Sequence, residues 1–249
     1  MSERSVELSR GDADDNASRD VASSDEAAIS FERSRSLALW EIASVIVSAL
    51  IAEWAALASL GFGKYLLVVP VALAFALTIY SHRVRGETAR ELGFRFDNFA
   101  RACRVLLPLM LAGGVLLALW GRIWFGARFR IGGGRAEAYW LVFPLWGVAW
   151  GLLQQYVLQA FVNRRAQVVF GAGWKSVLLT ALVFALLHLP NPWLTVATFT
   201  GGLVWAYAYQ RTPNLYALAL SHAAMTWVLI AALPASALNS LRVGFKYFG

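Results

Sequence analysis

The sequence predicts an all-α membrane protein, a bundle of about seven transmembrane helices. Hydrophobic residues make up 59% of the 249 positions, 11 residues are Trp, and the mean hydropathy is +0.56, well above the values of water-soluble domains. Several apolar runs approach or exceed the roughly 20 residues that a helix needs to cross a hydrocarbon core of about 30 Å. Because lipid offers the backbone no hydrogen-bonding partners, these runs are expected to be helices.

The first 35 residues differ in composition from the rest of the chain. They hold nine of the fifteen Asp and Glu residues and a single aromatic residue, Phe31, so they bury too little apolar area to offset chain entropy. Residues 1–35 are therefore predicted to be a disordered, acidic cytoplasmic tail. No short apolar segment follows a basic start, so we expect the first span to act as an uncleaved targeting signal.

Apolar length, together with the Gly, Pro and polar residues between the runs, defines the individual spans. They are predicted at Ser36 to Leu60, Tyr65 to Tyr80, Val105 to Trp120, Tyr139 to Phe161, Ser176 to Leu189, Trp193 to Tyr209 and Leu215 to Leu233. After the fifth span, Pro190 and Pro192 give a sharp stop because each lacks an amide donor. Residues 36–233 thus form the predicted membrane domain, and residues 234–249 a short interfacial tail.

The basic residues predict the orientation in the cell membrane, since positive charges are retained on the cytoplasmic side. In the short loops and near the span ends, twelve Lys and Arg residues fall on the side of the N-terminus, among them the six arginines between Ser81 and Arg104, and seven fall on the other side. The N-terminus is therefore predicted to be cytoplasmic. We attribute the net charge of +7 to the basic loops that set the membrane orientation and contact anionic membrane lipids. Nucleic acid is not an expected partner, because the arginines are divided between both faces.

Polar residues inside the spans are the candidates for function, because each costs free energy unless it finds a partner or lines a cavity. In the fourth span Gln155, Gln159 and Asn163 recur every four residues and share one helix face, while Gln154 lies about 100° around the helix. A stripe of interhelical hydrogen bonds, worth about 0.6 kcal/mol per contact, would also explain them.

Two of the three histidines also lie in predicted spans. His188 follows Phe184 by one helical turn in the fifth span, and His222 precedes Thr226 by one turn in the seventh. Intramembrane histidines are uncommon and usually functional. A structural hydrogen-bond donor remains the alternative, above all for His188, which is close to the predicted interface.

In this order and spacing, the motifs resemble those of the CPBP intramembrane proteases, also called the CAAX protease and bacteriocin-processing, or Abi, family. That family has Glu-Glu-x-x-x-Arg in one helix, Phe-x-x-x-His in the next and His-x-x-x-Asn two helices later. The matching positions here are Gln154, Gln155 and Gln159, then Phe184 and His188, then His222 and Thr226. The segment from Glu91 to Arg95 also resembles the family's cytoplasmic loop. The resemblance implies a helical membrane endopeptidase whose catalytic residues are these seven, acting on a membrane-associated peptide.

The departures from the family pattern bear directly on catalysis. The resemblance assigns water activation to the position of Gln154, and an amide cannot take up a proton near neutral pH. Loss of one general base costs about 10² to 10⁴ in rate. The family's Arg is also absent, at Gln159, and no Asp or Glu occurs from Ala138 to Gly249. All three charged positions of the family's Glu-Glu-x-x-x-Arg motif are therefore occupied by uncharged glutamines in this chain.

Only two carboxylates inside a predicted span offer a replacement. Glu41 and Glu53 are 12 residues apart in the first span, about 18 Å along the axis and 120° around it, so they cannot both approach one pair of histidines. We expect Glu41 to reach the lipid headgroups. Glu53 lies deeper and costs about 2 to 3 kcal/mol if ionised and unpaired. A histidine that takes the proton itself is the other alternative.

No cofactor or metal is expected. Two histidines and neutral amides fall short of the three good ligands that catalytic zinc usually has, and the single cysteine, Cys103, excludes a Cys-rich zinc site and a disulfide framework.

Three hypotheses of function follow: an intramembrane endopeptidase with weakened catalysis, a silent protease-like protein that acts as a binding or immunity partner, and a small transporter. The sequence contains no internal repeat or interrupted helix pair in support of a transporter. Both protease-related hypotheses require the side chains of Gln154, His188 and His222 to converge on one cavity within the membrane.

Overall fold

The computed structural model describes residues 3–56, 68–129 and 139–249, which form helices, turns and loops with no strand among them. The all-α prediction is confirmed. The helices are α1 (Glu3–Leu50), continued by a π-helical turn (Ile51–Ala56), α2 (Val68–Val84), α3 (Phe99–Phe125), α4 (Tyr139–Gln155), continued by a π-helical segment (Tyr156–Asn163) into α5 (Arg164–Phe170), α6 (Trp174–Leu186), α7 (Pro192–Arg211), α8 (Leu215–Ala232) and α9 (Ala235–Leu238). Short 3₁₀ turns at Asn239–Leu241 and Gly244–Phe248 end the chain.

Three of the described helical segments are long and apolar enough to cross a membrane: Ala28–Trp54, Phe99–Phe125 and Leu215–Ala232. Two shorter apolar helices, Val68–Val84 and Trp174–Leu186, accompany them. Large apolar side chains are exposed along α3, including Leu107, Leu111, Leu116, Ile123 and Trp124, as expected of a surface in contact with lipid. The protein is thus a membrane protein.

The predicted number of seven spans stays a prediction. The end of the first predicted span, residues 57–60, and the start of the second, residues 65–67, lie outside the described residues.

The first helix, α1, begins at Glu3 and runs without interruption into the first span. From Ala28 to Arg33 the side chains of α1 are exposed. The helical form of this part therefore comes from the local backbone hydrogen bonds of a helix that continues outward from a packed segment. The division of the chain into residues 1–35, 36–233 and 234–249 stays a prediction.

Two helix pairs, α4 with α8 and α6 with α7, surround the region of the predicted site. Glycine permits their close approach: a Cβ at Gly151 would lie 3.0 Å from the carbonyl oxygen of Ala219, and one at Gly202 would lie 2.9 Å from Cα of Ala181. Gly151 thus brings the backbone of α4 against the turn of α8 that carries His222, and Gly202 brings α7 against α6.

The segment from Glu91 to Arg95 is attached to the connection between α7 and α8. The hydroxyl of Tyr209 donates to the carbonyl of Leu92 over 3.0 Å, and the backbone N–H of Leu215 donates to the carbonyl of Gly93 over 2.9 Å. Gly93 has a φ of +101°, a conformation that residues with a Cβ rarely adopt. This loop therefore fixes the end of α8 that leads toward His222.

The C-terminal residues fold back over the opposite end of the bundle. Asn191 accepts a hydrogen bond from the N–H of Leu194 and so caps α7, and its amide donates to the carbonyls of Leu238 and Arg242 over 2.8 and 3.2 Å. The N–H of Gly244 donates to the carbonyl of Leu189 over 2.8 Å. The predicted tail is therefore packed against the connection between α6 and α7.

Candidate active site

A cavity of about 660 Å³ lies inside the bundle and brings the predicted motifs together. Its lining is mostly apolar and comes from α1, α2, α3, α4, α6, α7, α8 and the C-terminal segment. Of the seven predicted site residues, five line it: Gln154, Phe184, His188, His222 and Thr226. The expectation that Gln154, His188 and His222 share one cavity is met.

His222 is held by contacts on several sides. Nε2 of the buried Gln155 lies 3.1 Å from its Nδ1. The ring of Trp205 stacks on the imidazole, with centroids 4.8 Å apart and planes at 8°, and Phe184 lies 5.9 Å away. Trp205 is itself fixed by a 2.9 Å hydrogen bond from its indole N–H to the hydroxyl of Ser221. His222 therefore has a single orientation, with its ring between Trp205 and the motif helix α4.

His188 is oriented by its own helix turn. Nδ1 lies 2.7 Å from the carbonyl oxygen of Phe184, so Nδ1 carries the proton and Nε2 of the neutral ring has a free lone pair. The Phe184 ring meets the His188 ring edge to face at 4.7 Å. Phe184 thus contacts both imidazoles, which explains physically why an aromatic residue one turn before His188 suits this site.

The lower part of the glutamine stripe lies away from the cavity, in contacts between helices. Gln159 is fully buried, and its side-chain oxygen accepts a 2.9 Å hydrogen bond from the amide of Asn163. Asn163 also donates to the carbonyl of Ala206 on α7 and accepts from Gln210. Gln159 does not line the cavity. The structure therefore brings Gln155 to the site through His222 but leaves Gln159 in an interhelical network, which was the alternative interpretation of the stripe.

Glu53 also lines the cavity, and its Oε2 is buried without a hydrogen bond from any described residue. Glu41 is elsewhere, and the prediction that it reaches lipid headgroups is wrong. Its Oε1 accepts a 2.7 Å hydrogen bond from Ser81, and its Oε2 lies 2.9 Å from Arg85 and 3.0 Å from Arg165. Buried arginines offer a carboxylate stronger partners than water does.

Sequence reasoning missed the polar cluster around Arg165, which joins α1, α2 and α5. Arg165 is 1% exposed, and its Nη2 lies 2.7 Å from Oε2 of Glu87. Glu87 also receives Arg164 at 2.8 Å and Nδ1 of His82 at 2.6 Å. The contacts of the two arginines with Glu87 could not be predicted, because partners about 80 positions apart show no pattern in one sequence. An Arg pair directly after an apolar span was the available signal.

The electrostatics of Glu87 follow from those contacts. Burial raises the pKa of a carboxyl group, but the hydrogen bonds from His82, Arg165 and Arg164 outweigh it and hold the pKa of Glu87 far below its ordinary value of 4.5. Glu87 is therefore an anion at neutral pH, and it fastens the end of α2 to α5.

No group of three His, Cys, Asp or Glu side chains within the described ranges could hold a metal ion. The chemistry that this arrangement offers is that of a partly enclosed, mostly apolar chamber with two imidazoles, four threonines including Thr226, an amide and one carboxylate. Such a chamber can hold a peptide carbonyl near hydrogen-bond donors while excluding bulk water, which strengthens each electrostatic interaction.

Comparison with known proteins points the same way. Residues 136–228 match the family described as type II CAAX prenyl endopeptidase Rce1-like. No curated protein and no solved structure shows a significant match to the chain. The matched residues are fewer than half of the 249, but they include all seven predicted site positions, from Gln154 to Thr226. The resemblance to the CPBP/CAAX proteases is confirmed, and the chain is an intramembrane protease-like protein with a domain of this family over residues 136–228.

Proposed function

We propose that the protein is an intramembrane endopeptidase of the CPBP/CAAX type, which hydrolyses a peptide bond in a membrane-associated peptide with weakened catalysis. The observation that supports this proposal is the shared cavity: Gln154, His188, His222 and Thr226 line one chamber although they come from α4, the turn after α6, and α8. Side chains kept only for helix packing would not need to converge.

The geometry around His222 supports a role for it in the proposed reaction. With the Gln155 amide as donor, Nδ1 of His222 accepts and the ring proton is on Nε2. A neutral imidazole N–H and the hydroxyl of Thr226 are donors of the kind that stabilise the oxyanion formed when water attacks a carbonyl. Removing one such donor costs about 10² to 10³ in rate.

The proposed substrate is an apolar peptide segment presented from the membrane. Trp150, Leu153, Trp193 and Val196 line the cavity, so a charged peptide would lose its hydration there without compensation. Membrane lipids are the other proposed partner, through the exposed apolar surface of α3.

The direct test is a peptidase assay on the purified protein reconstituted into lipid vesicles, with a library of membrane-anchored peptides and mass spectrometry of the products. We expect slow cleavage by the wild type, at least a hundredfold loss in His222→Ala, and a gain of about 10² to 10⁴ in Gln154→Glu, which restores a carboxylate base.

Gln167→Glu is the matched control, because it places the same charge on α5 outside the cavity. Absence of cleavage by both the wild type and Gln154→Glu would refute the endopeptidase proposal.

A silent protease-like binding partner is the second candidate, and the amides at Gln154 and Gln155 favour it. Neither can act as a base, and no carboxylate occurs in the matched family segment after Glu137. This candidate requires that His188→Ala and His222→Ala retain partner binding while folded. A pull-down with the folded variants from native membranes distinguishes the two functions, since an endopeptidase loses product formation in the same variants.

For localisation we propose a multi-pass protein of the cell membrane with a cytoplasmic N-terminus. Glu41, Arg85, Glu87 and Arg165 meet at one end of the bundle, and this supports a common side for the basic loops. An N-terminal epitope tag should be protected from protease in intact spheroplasts and cleaved after lysis. A tag that is cleaved in intact spheroplasts reverses the orientation.

A further inference from the structure

Glu53 is the only carboxylate among the described residues that line the cavity. It lies in the π-helical turn Ile51–Ala56, which continues α1. A π-turn adds one residue to the helical repeat and so rotates the residues after it relative to the α-helical face. Glu53 thus lines the same chamber as Gln154 and the two imidazoles, although it is 101 positions away from Gln154 in the chain.

Glu53 lies at the end of the cavity where His188 is found. The residue that connects them is Gly244: a Cβ placed on it would lie 2.7 Å from the carbonyl oxygen of Glu53 and 2.9 Å from Cβ of Glu53. The N–H of the same Gly244 donates to the carbonyl of Leu189, the residue after His188. Gly244 therefore holds the backbone at Glu53 next to the end of α6, and its φ of +55° and lack of a side chain make this approach possible.

The contacts of Glu53 distinguish it from a structural carboxylate. Its Oε2 is buried and receives no hydrogen bond from the described part of the chain. Glu41, in the same helix, has Ser81, Arg85 and Arg165 around both of its oxygens. An unpartnered carboxyl group at membrane depth costs about 2 to 3 kcal/mol. Helix packing alone gives no reason to accept that free-energy cost. A general base does, because its carboxylate must be free to bind the attacking water.

We propose that Glu53 acts as the general base in place of the glutamate that the family pattern has at Gln154; this inference rests on the proposed peptidase function. In the first step the carboxylate takes a proton from a water molecule as the water oxygen bonds to the peptide carbonyl carbon. The carbonyl π electrons move to oxygen, where His222 and Thr226 donate hydrogen bonds. In the second step the C–N bond breaks, and the carboxyl proton passes to the leaving amine. The products are a peptide acid and a peptide amine, and Glu53 is again a carboxylate.

The same assay in vesicles tests this role with Glu53→Gln, which removes the base but keeps the shape of the side chain. We expect cleavage to fall by about 10² to 10⁴, while the thermal midpoint is unchanged or rises, because a neutral amide is cheaper to bury than a carboxylate. Glu32→Gln is the matched control, since Glu32 is an exposed carboxylate of the same helix, and it should cleave at the wild-type rate.

The double variant Glu53→Gln/Gln154→Glu removes the carboxylate at position 53 and places one at position 154. It tests whether cleavage needs a carboxylate in the cavity at either position. We expect it to recover most of the lost rate, which a purely structural role of Glu53 would not allow. Wild-type activity in Glu53→Gln would overturn the assignment while leaving the endopeptidase proposal intact. An inactive wild type beside an active Gln154→Glu would also overturn it. If neither the wild type nor Gln154→Glu cleaves, the proposed function itself fails.

Discussion

Nε2 of Gln155 and Nδ1 of His222 lie 3.1 Å apart, joining the second position of the glutamine pair to the histidine of α8, 67 positions further along the chain. Gln155 is fully buried and His222 is 8% exposed, so water cannot replace this bond easily. The motif helix therefore positions the imidazole through an amide, without any buried charge.

The hydrogen bond predicts an energetic coupling between these two residues. We expect a double-mutant cycle of Gln155→Leu and His222→Phe to give a coupling free energy of about 0.5 to 1.5 kcal/mol in detergent unfolding experiments. Gln155→Leu should also lower cleavage about tenfold, because His222 loses its fixed tautomer. Strict additivity of the two single variants would contradict the contact.

The approach of α3 to α8 predicts a specific intolerance at Gly121. A Cβ there would lie 2.0 Å from the carbonyl oxygen of Ala232, so Gly121→Ala forces the helices apart and should cost about 1 to 3 kcal/mol. Gly114→Ala, on the same helix, is the control, since its nearest neighbour, Cγ1 of Val228, is 3.7 Å away. Thermal unfolding of the two variants in the same detergent makes the comparison, and equal midpoints would argue against the close packing.

Among the charged residues of the polar cluster, we expect substitution of Arg165 to lower the free energy of unfolding most. Arg165→Met leaves Glu41 and Glu87 buried without their shared cation, which should cost about 3 to 5 kcal/mol. Arg90→Met breaks an exposed pair with Asp97, in which the side chains are 67% and 45% exposed, and should cost at most about 1 kcal/mol. Similar losses in the two variants, measured by chemical unfolding, would contradict the structural role of the cluster.

The lowered pKa of Glu87 predicts an acid-sensitive fold. Because its folded pKa lies below the unfolded value of about 4.5, the stabilisation is complete above that pH and is lost as the pH falls toward the folded pKa. The thermal midpoint of Glu87→Gln should therefore lie well below that of the wild type at pH 7, and the gap should narrow below about pH 4.5. Parallel curves from pH 7 to pH 3 would be inconsistent with this pairing.

The fold class and the family could be predicted from the sequence because they depend on local signals. Apolar length and internal backbone hydrogen bonding require helices in lipid, whatever their mutual arrangement. The spacing of Phe184 and His188, or of His222 and Thr226, is one helical turn and is visible in any single sequence. The order of the motifs along the chain then carried the family resemblance.

What the tertiary structure decided is which polar residues meet. A period of four placed Gln155 and Gln159 on one helix face, but their hydrogen-bond partners differ. Gln155 contacts His222, 67 positions further along the chain, whereas Gln159 contacts Asn163, 4 positions further along. No local pattern in the sequence distinguishes the two glutamines. Likewise, the sequence shows Glu41 and Glu53 only as two carboxylates of one predicted span. Their surroundings differ in the folded protein, where Glu41 pairs with Arg85 and Arg165 and Glu53 lines the cavity. Contacts across the bundle depend on how whole helices pack, so the sequence by itself determined the elements and the motifs, and packing determined the site.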